Sequence, residues 1–148
     1  MMKEIIARTL APPMTGEIQA PRVPVSWGEL IDKITILELK RDRIENEDAL
    51  RNVCHELSLL QAAAQPVLAA GGRIAELKSQ LAAVNEKLWQ LEDLVREKET
   101  SRGFDSKFVE LARSICKLND ERSMVKREIN VQLKSAIVEE KSYRTASS

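Results

Sequence analysis

Residues 73–99, RIAELKSQLAAVNEKLWQLEDLVREKE, decide the fold. The apolar residues Ile74, Leu77, Leu81, Val84, Leu88, Leu91 and Val95 follow one another at steps of three and four without a break. A helix turns once in about 3.6 residues, so these side chains share one stripe. Apolar first and fourth positions kept up over successive heptads are the pattern of a coiled-coil seam. Glu92 and Arg96, four residues apart, add a favourable surface ion pair.

Downstream, Thr100-Ser101-Arg102-Gly103 is a turn, with Gly103 as the expected left-handed cap, and Asp105 can cap the next helix. That helix carries Phe108, Leu111, Ile115, Leu118, Arg122, Val125 and Ile129, and its amphipathic pattern continues toward Ile137. At about 1.5 Å per residue the helices from 73 and from 105 each run roughly 40–50 Å. Upstream, Pro66 and Gly71-Gly72 mark a stop. Before them, Leu50, Val53, Leu57, Leu60 and Ala64 form one series, out of phase with an earlier one through Leu30, Ile34, Leu37, Arg41 and Ile44. The break falls in Glu45-Asn46-Glu47-Asp48. The spacing leaves open two helices, with Asn46 capping the second, or one helix with a phase slip. Ser26-Trp27-Gly28-Glu29 is a capping box, flanked by Val25 and Leu30 as a hydrophobic staple. The expected fold is all-α: long antiparallel helices forming a helical hairpin or bundle with coiled-coil-like seams. It comprises an N-terminal arm over 1–25, holding Pro12, Pro13, Pro21 and Pro24, a single helical domain over 26–140, and a frayed polar tail over 141–148.

Composition agrees. Of 148 residues, 43% are hydrophobic but only 3% aromatic, which demands an aliphatic core and suits helix seams better than strands. Lys plus Arg equals Asp plus Glu at 23 each, so the chain lacks the concentrated basic surface of a nucleic-acid binder. No segment reaches the ~20 apolar residues of a membrane helix. The apolar run at the N-terminus is broken by Lys3, Glu4 and Arg8, which argues against a signal peptide, so the expected compartment is the cytoplasm. Cys54 and Cys116 are not paired as CxxC, and with the single His55 they cannot complete a zinc site. They are expected as small hydrophobes packed on helices. There is no phosphate loop and no nucleophile set with a usable histidine, so no catalytic residue, metal or cofactor is expected.

Three polar features depart from a plain bundle. Arg41 and Arg122 fall at seam positions, where an arginine is costly unless paired. Each can snorkel or pair to fix register. The functional alternative is an anion pocket between helices, built from Arg41, Arg122 and Lys126 with Glu38 or Glu92 nearby. Second, Asp32 and Thr35 sit in a segment, Leu30–Leu39, that is apolar on more than one face and therefore buried or at an interface. Third, Trp27 and Trp89 are the only tryptophans. Trp89 lies beside the seam and Trp27 opens the first helix, so both join Asp32 and Thr35 as candidate interface residues.

The segment Val25–Lys40, VSWGELIDKITILELK, is supported by Val84-Asn85-Glu86, Leu88-Trp89, Lys126–Asn130 and Val138–Tyr143. With these residues the chain resembles a family of small uncharacterised bacterial all-helical proteins, a domain of unknown function, over about residues 23–143. The resemblance implies a fold unit, no assigned catalytic residue, and a loose link to bacterial surface-polysaccharide genes.

Two readings follow. One is a non-enzymatic scaffold or adaptor that acts through helix faces, as a homodimer or with a protein partner. The other is a small helical enzyme or anion binder with an inter-helix arginine pocket, by analogy with helical chorismate mutases.

Overall fold

A computed structural model describes residues 18–142. Residues 1–17 of the arm and 143–148 of the tail lie outside the described residues. The described chain is all-helical, with no strand: α1 Trp27–Arg43, α2 Glu47–Leu68, α3 Gly72–Thr100 and α4 Ser106–Gln132.

Helices α1, α2 and α4 start where a side chain can accept from the first free amides; α3 starts after Gly71 without such a cap. Ser26 Oγ accepts from the Glu29 amide at 3.0 Å, and Asp105 Oδ1 accepts from the Phe108 amide at 3.0 Å. The open question over residues 27–64 resolves to two helices. Ile44 turns extended, and Asn46 Oδ1 accepts from the Ala49 amide at 2.9 Å, with Glu47 and Asp48 in the first turn of α2. Into α3 the backbone passes through Gly71 at φ 64° and, as its first residue, Gly72 at φ 60°, positive values that cost a residue bearing Cβ about 1–2 kcal/mol each.

Helix α1 packs against all three others, which explains its apolar residues on more than one face. Ile31 joins Ile74, Leu77, Leu81, Val125 and Ile129 in one core cluster. Ile34 and Leu37 join Val53, Leu57 and Ala64 in another. Helices α3 and α4 meet end to start. Arg73 at the head of α3 donates to Glu128 near the foot of α4 at 3.0 Å, and Lys98 near the foot of α3 reaches Asp105 at 2.8 Å. The α3 seam is buried from Ile74 to Leu88; Leu91 and Val95 are only partly covered. Near the α3–α4 turn, Leu94, Phe104 and Val109 are exposed.

Several details differ from the sequence expectation. Pro66 lies inside α2, close enough to the helix end that the hydrogen bond it removes does not stop the last turn. The left-handed residue after α3 is Arg102, at φ 53°, not Gly103. The Gly103 amide closes that helix end on the Lys98 carbonyl at 2.8 Å. Helix α4 stops at Gln132 rather than running on toward Ile137. Lys134 turns left-handed, and the Ser135 amide returns to the Asn130 carbonyl at 2.8 Å. Val25, expected as half of a staple, is exposed. Cys54 and Cys116 are free and exposed rather than packed. Among the described residues, no helix is long and apolar enough to cross a membrane.

Candidate functional site

On α4, Arg122, Lys126 and Asn130 stand four residues apart and so share one stripe. On α1, Gly28, Glu29 and Asp32 occupy the matching stripe. The two stripes pair in opposite directions: Gly28 with Asn130, Glu29 with Lys126, and Asp32 with Arg122.

Asp32 is the centre of this ladder and is only 1% exposed. Arg122 grips it with two nitrogens: Nε donates at 3.1 and 3.0 Å to the two carboxylate oxygens, and Nη2 donates at 2.6 Å to Oδ2. Asn85 Nδ2, from α3, donates to Oδ1 at 2.8 Å and to Thr35 Oγ1 at 2.9 Å. Thr35 Oγ1 in turn donates to the Asp32 carbonyl at 2.7 Å. Lys126 Nζ stands 3.8 Å from Oδ2 and 2.5 Å from Glu29 Oε2. The Glu29 carboxylate is therefore engaged by α4, and of the expected capping box only the serine half forms. The hydrogen bond to Asp32 holds Arg122 more firmly in its charged form, although burial works against it.

The ladder closes at the mouth of α1. Ser26 Oγ donates to Glu139, and Asn130 Nδ2 donates to the other oxygen of that carboxylate at 3.1 Å. Asn130 Oδ1 accepts the Gly28 amide at 2.7 Å, and Ser135 Oγ accepts the Trp27 amide at 3.3 Å. The last turn of α4 and Ser135 beyond it thus satisfy the free Gly28 and Trp27 amides that begin α1. Gly28 makes this approach possible: a Cβ there would lie 2.5 Å from the Lys126 carbonyl oxygen. Among the described residues, no buried side-chain nitrogen or oxygen lacks a hydrogen-bond partner.

Burial raises the Glu139 carboxyl, but the hydrogen bonds from Ser26, its own backbone and Asn130, with the nearby Lys126 charge, bring it below its ordinary value. Folding thus favours the carboxylate. Its contribution is complete above the ordinary glutamate range and is lost as the pH falls through the lowered value. Replacing Glu139 with Gln is expected to destabilise the protein at neutral pH and to leave it unchanged in acid. Thermal melts of both proteins across that range check this; parallel curves at every pH would contradict it.

The structure brings together Asp32, Thr35, Arg122 and Lys126, and it places the other sequence candidates elsewhere. Arg41 is exposed and bonds its neighbour Asp42 at 2.9 Å; the apolar period was carried one turn past the covered part of α1. Glu38 bonds Lys78 at 2.7 Å and Gln61 at 3.3 Å, tying α1 to α3 and α2. Glu92 lies on the surface, 3.8 Å from Arg96. Trp27 packs partly buried against the first core cluster. Trp89 is partly buried beneath Arg43, whose guanidinium carbon sits 5.5 Å from the ring centre. Asp32 and Thr35 face α3 and α4 of their own chain, and neither retains surface for a partner. Sequence reasoning passed over Gly28, Asn85, Asn130 and Glu139. Only Gly28 carried a signal, since glycine inside a helix is unfavourable without a packing reason.

Chemically, the network holds a charge still. Both oxygens of Asp32 already accept from Arg122, and Asn85 adds a further bond to Oδ1, so the carboxylate cannot serve as the accessible base that proton transfer requires. Among the described residues, no group of His, Cys, Asp and Glu is placed to hold a metal ion.

Fold and site together define a class: small all-helical proteins with a fully bonded carboxylate, amide and guanidinium network locking the first helix to the last. The chain belongs to a family of unknown function (DUF6165), whose sequence model matches residues 21–148, in accord with the resemblance drawn from the sequence. No curated protein and no solved structure matches the chain.

Proposed function

We propose that the protein is a non-enzymatic helical scaffold or adaptor that acts through its outer helix faces. The saturation of Asp32 carries this reading: the most deeply buried charge is committed to holding helices together. In the same proposal, residues 26–140 act as one helical domain whose long antiparallel helices meet along coiled-coil-like seams. The paired ends of α3 and α4 support this. The chain is a cytoplasmic homodimer, with the exposed Leu94, Phe104 and Val109 near the α3–α4 turn covered by a second copy. The family resemblance adds a place beside bacterial surface-polysaccharide assembly. The chorismate-mutase-like alternative requires Arg41 and Arg122 around one ligand. The geometry does not favour it, because Arg41 borders a different depression with Thr35, Glu38 and Glu86.

Light scattering after size exclusion, over a concentration series, tests the assembly. The expected result is the mass of two chains, and of one chain for Phe104→Glu with helix content unchanged. A single-chain mass for the natural sequence at every concentration would overturn it.

A further inference from the structure

Between α1, α3 and α4 lies an open cleft of about 330 Å³, near the lower end of the size range of small-molecule sites. Lys40, Arg96 and Arg122 contribute three cations to its lining, and Glu92 contributes the one carboxylate. Trp89 forms part of the wall, with Ile36, Leu39 and Leu88 as apolar lining. The Asp32 network fixes one of those cations. Arg122 spends Nε and Nη2 on Asp32, and Nη1 donates to no group among the described residues. Lys40 forms no ion pair among the described residues. We propose that this cleft binds a small organic phosphate, its head between Lys40, Arg96 and Arg122 and its body against Trp89.

The arrangement favours phosphate over carboxylate. With its Nε edge on Asp32, Arg122 presents to the cleft only its outer edge, Nη1 with the second hydrogen of Nη2. Three cations on three helices suit a head with three outward oxygens. Within the lining these cations outnumber the carboxylate of Glu92; behind it Asp32 bonds Arg122 at 2.6 Å and Asp93 bonds Arg96 at 3.0 Å, which leaves Lys40 as the cation without an ion pair among the described residues. A phosphate monoester carries about −1.5 to −2 at neutral pH. The indole and aliphatic lining gives the organic part a surface that inorganic phosphate cannot use. The site goes beyond the scaffold reading and uses neither Arg41 nor the exposed residues near the α3–α4 turn.

Calorimetric titration of the full chain with phenyl phosphate, inorganic phosphate and benzoate tests it. Phenyl phosphate is expected to bind, and inorganic phosphate and benzoate are each expected to bind more weakly. Lys40 is half-buried and Arg96 exposed, so Lys40→Gln and Arg96→Gln are each expected to weaken phenyl phosphate about tenfold without moving the melting temperature. Absence of saturable heat to about 10 mM, weaker than any useful site, would overturn the proposal. So would full affinity in the double variant. Equal affinity for inorganic phosphate would overturn the part given to Trp89. If phosphorus NMR showed the ester hydrolysed in the cleft, the site would stand and the non-enzymatic reading would fall.

Discussion

Gly28→Ala is expected to destabilise the protein by about 3 kcal/mol, from overpacking and a disturbed buried hydrogen bond together. The added Cβ would meet the Lys126 carbonyl oxygen at 2.5 Å and Asn130 Oδ1 at 3.0 Å. The first of these is backbone inside α4 and cannot swing aside. Helix α1 would have to withdraw, lengthening the bond from the Gly28 amide to Asn130 and loosening the pairs below it. A midpoint lower by about 10 °C in a thermal melt is the expected reading. A change within about 0.5 kcal/mol, typical of a surface site, would mean that the close approach does not limit the fold.

The second large effect is an inequality within the central ion pair. Arg122→Ala is expected to cost about 3–5 kcal/mol, because it strands a buried carboxylate. Asp32→Ala should cost less. The Asp32 side chain is 1% exposed, whereas Arg122 is 28% exposed and Lys126 17%, so the cations left behind can turn to water and the anion cannot. Replacing the pair together, as Asp32→Leu with Arg122→Met, should recover most of the loss, since apolar residues of similar volume avoid the desolvation altogether. Urea unfolding of Asp32→Leu, Arg122→Met and the double variant that combines them measures this as a cycle. Equal costs for both single variants, adding in the double variant, would show that the network does not act as a unit.

The parts of the structure legible in the sequence are those written in local spacing. The step pattern from Ile74 marks α3, and its buried half follows the predicted stripe. Asn46 and Asp105 announced their helix starts because a cap acts over three residues. The site was legible only as anomalies: Arg122 in an apolar series and Asp32 in a segment with no polar face. Their union spans 90 residues, and no spacing rule reaches so far. Arg41 matched Arg122 as a pattern but not as an environment, since a period does not say where a helix leaves its neighbours. Asn85, Asn130 and Glu139 are ordinary surface types by composition, and only the fold turns them to the network.

The closure of α1 by the end of α4 and the residues just beyond it also sets an order of events during synthesis. The bond from Ser26 to Glu139 spans 113 positions, and that from Gly28 to Asn130 spans 102. Neither can form on a growing chain until Asn130 and Glu139 have been added. The α3–α4 pair, joined by a short turn, has partners close in sequence and can form early. Ile34 meets Val53, Leu57 and Ala64 of α2 and can be covered early, whereas the side of Ile31 that meets Val125 and Ile129 must wait for α4. During that interval the nascent chain presents that side of α1 to its surroundings, and the arrival of α4 is the step that withdraws it.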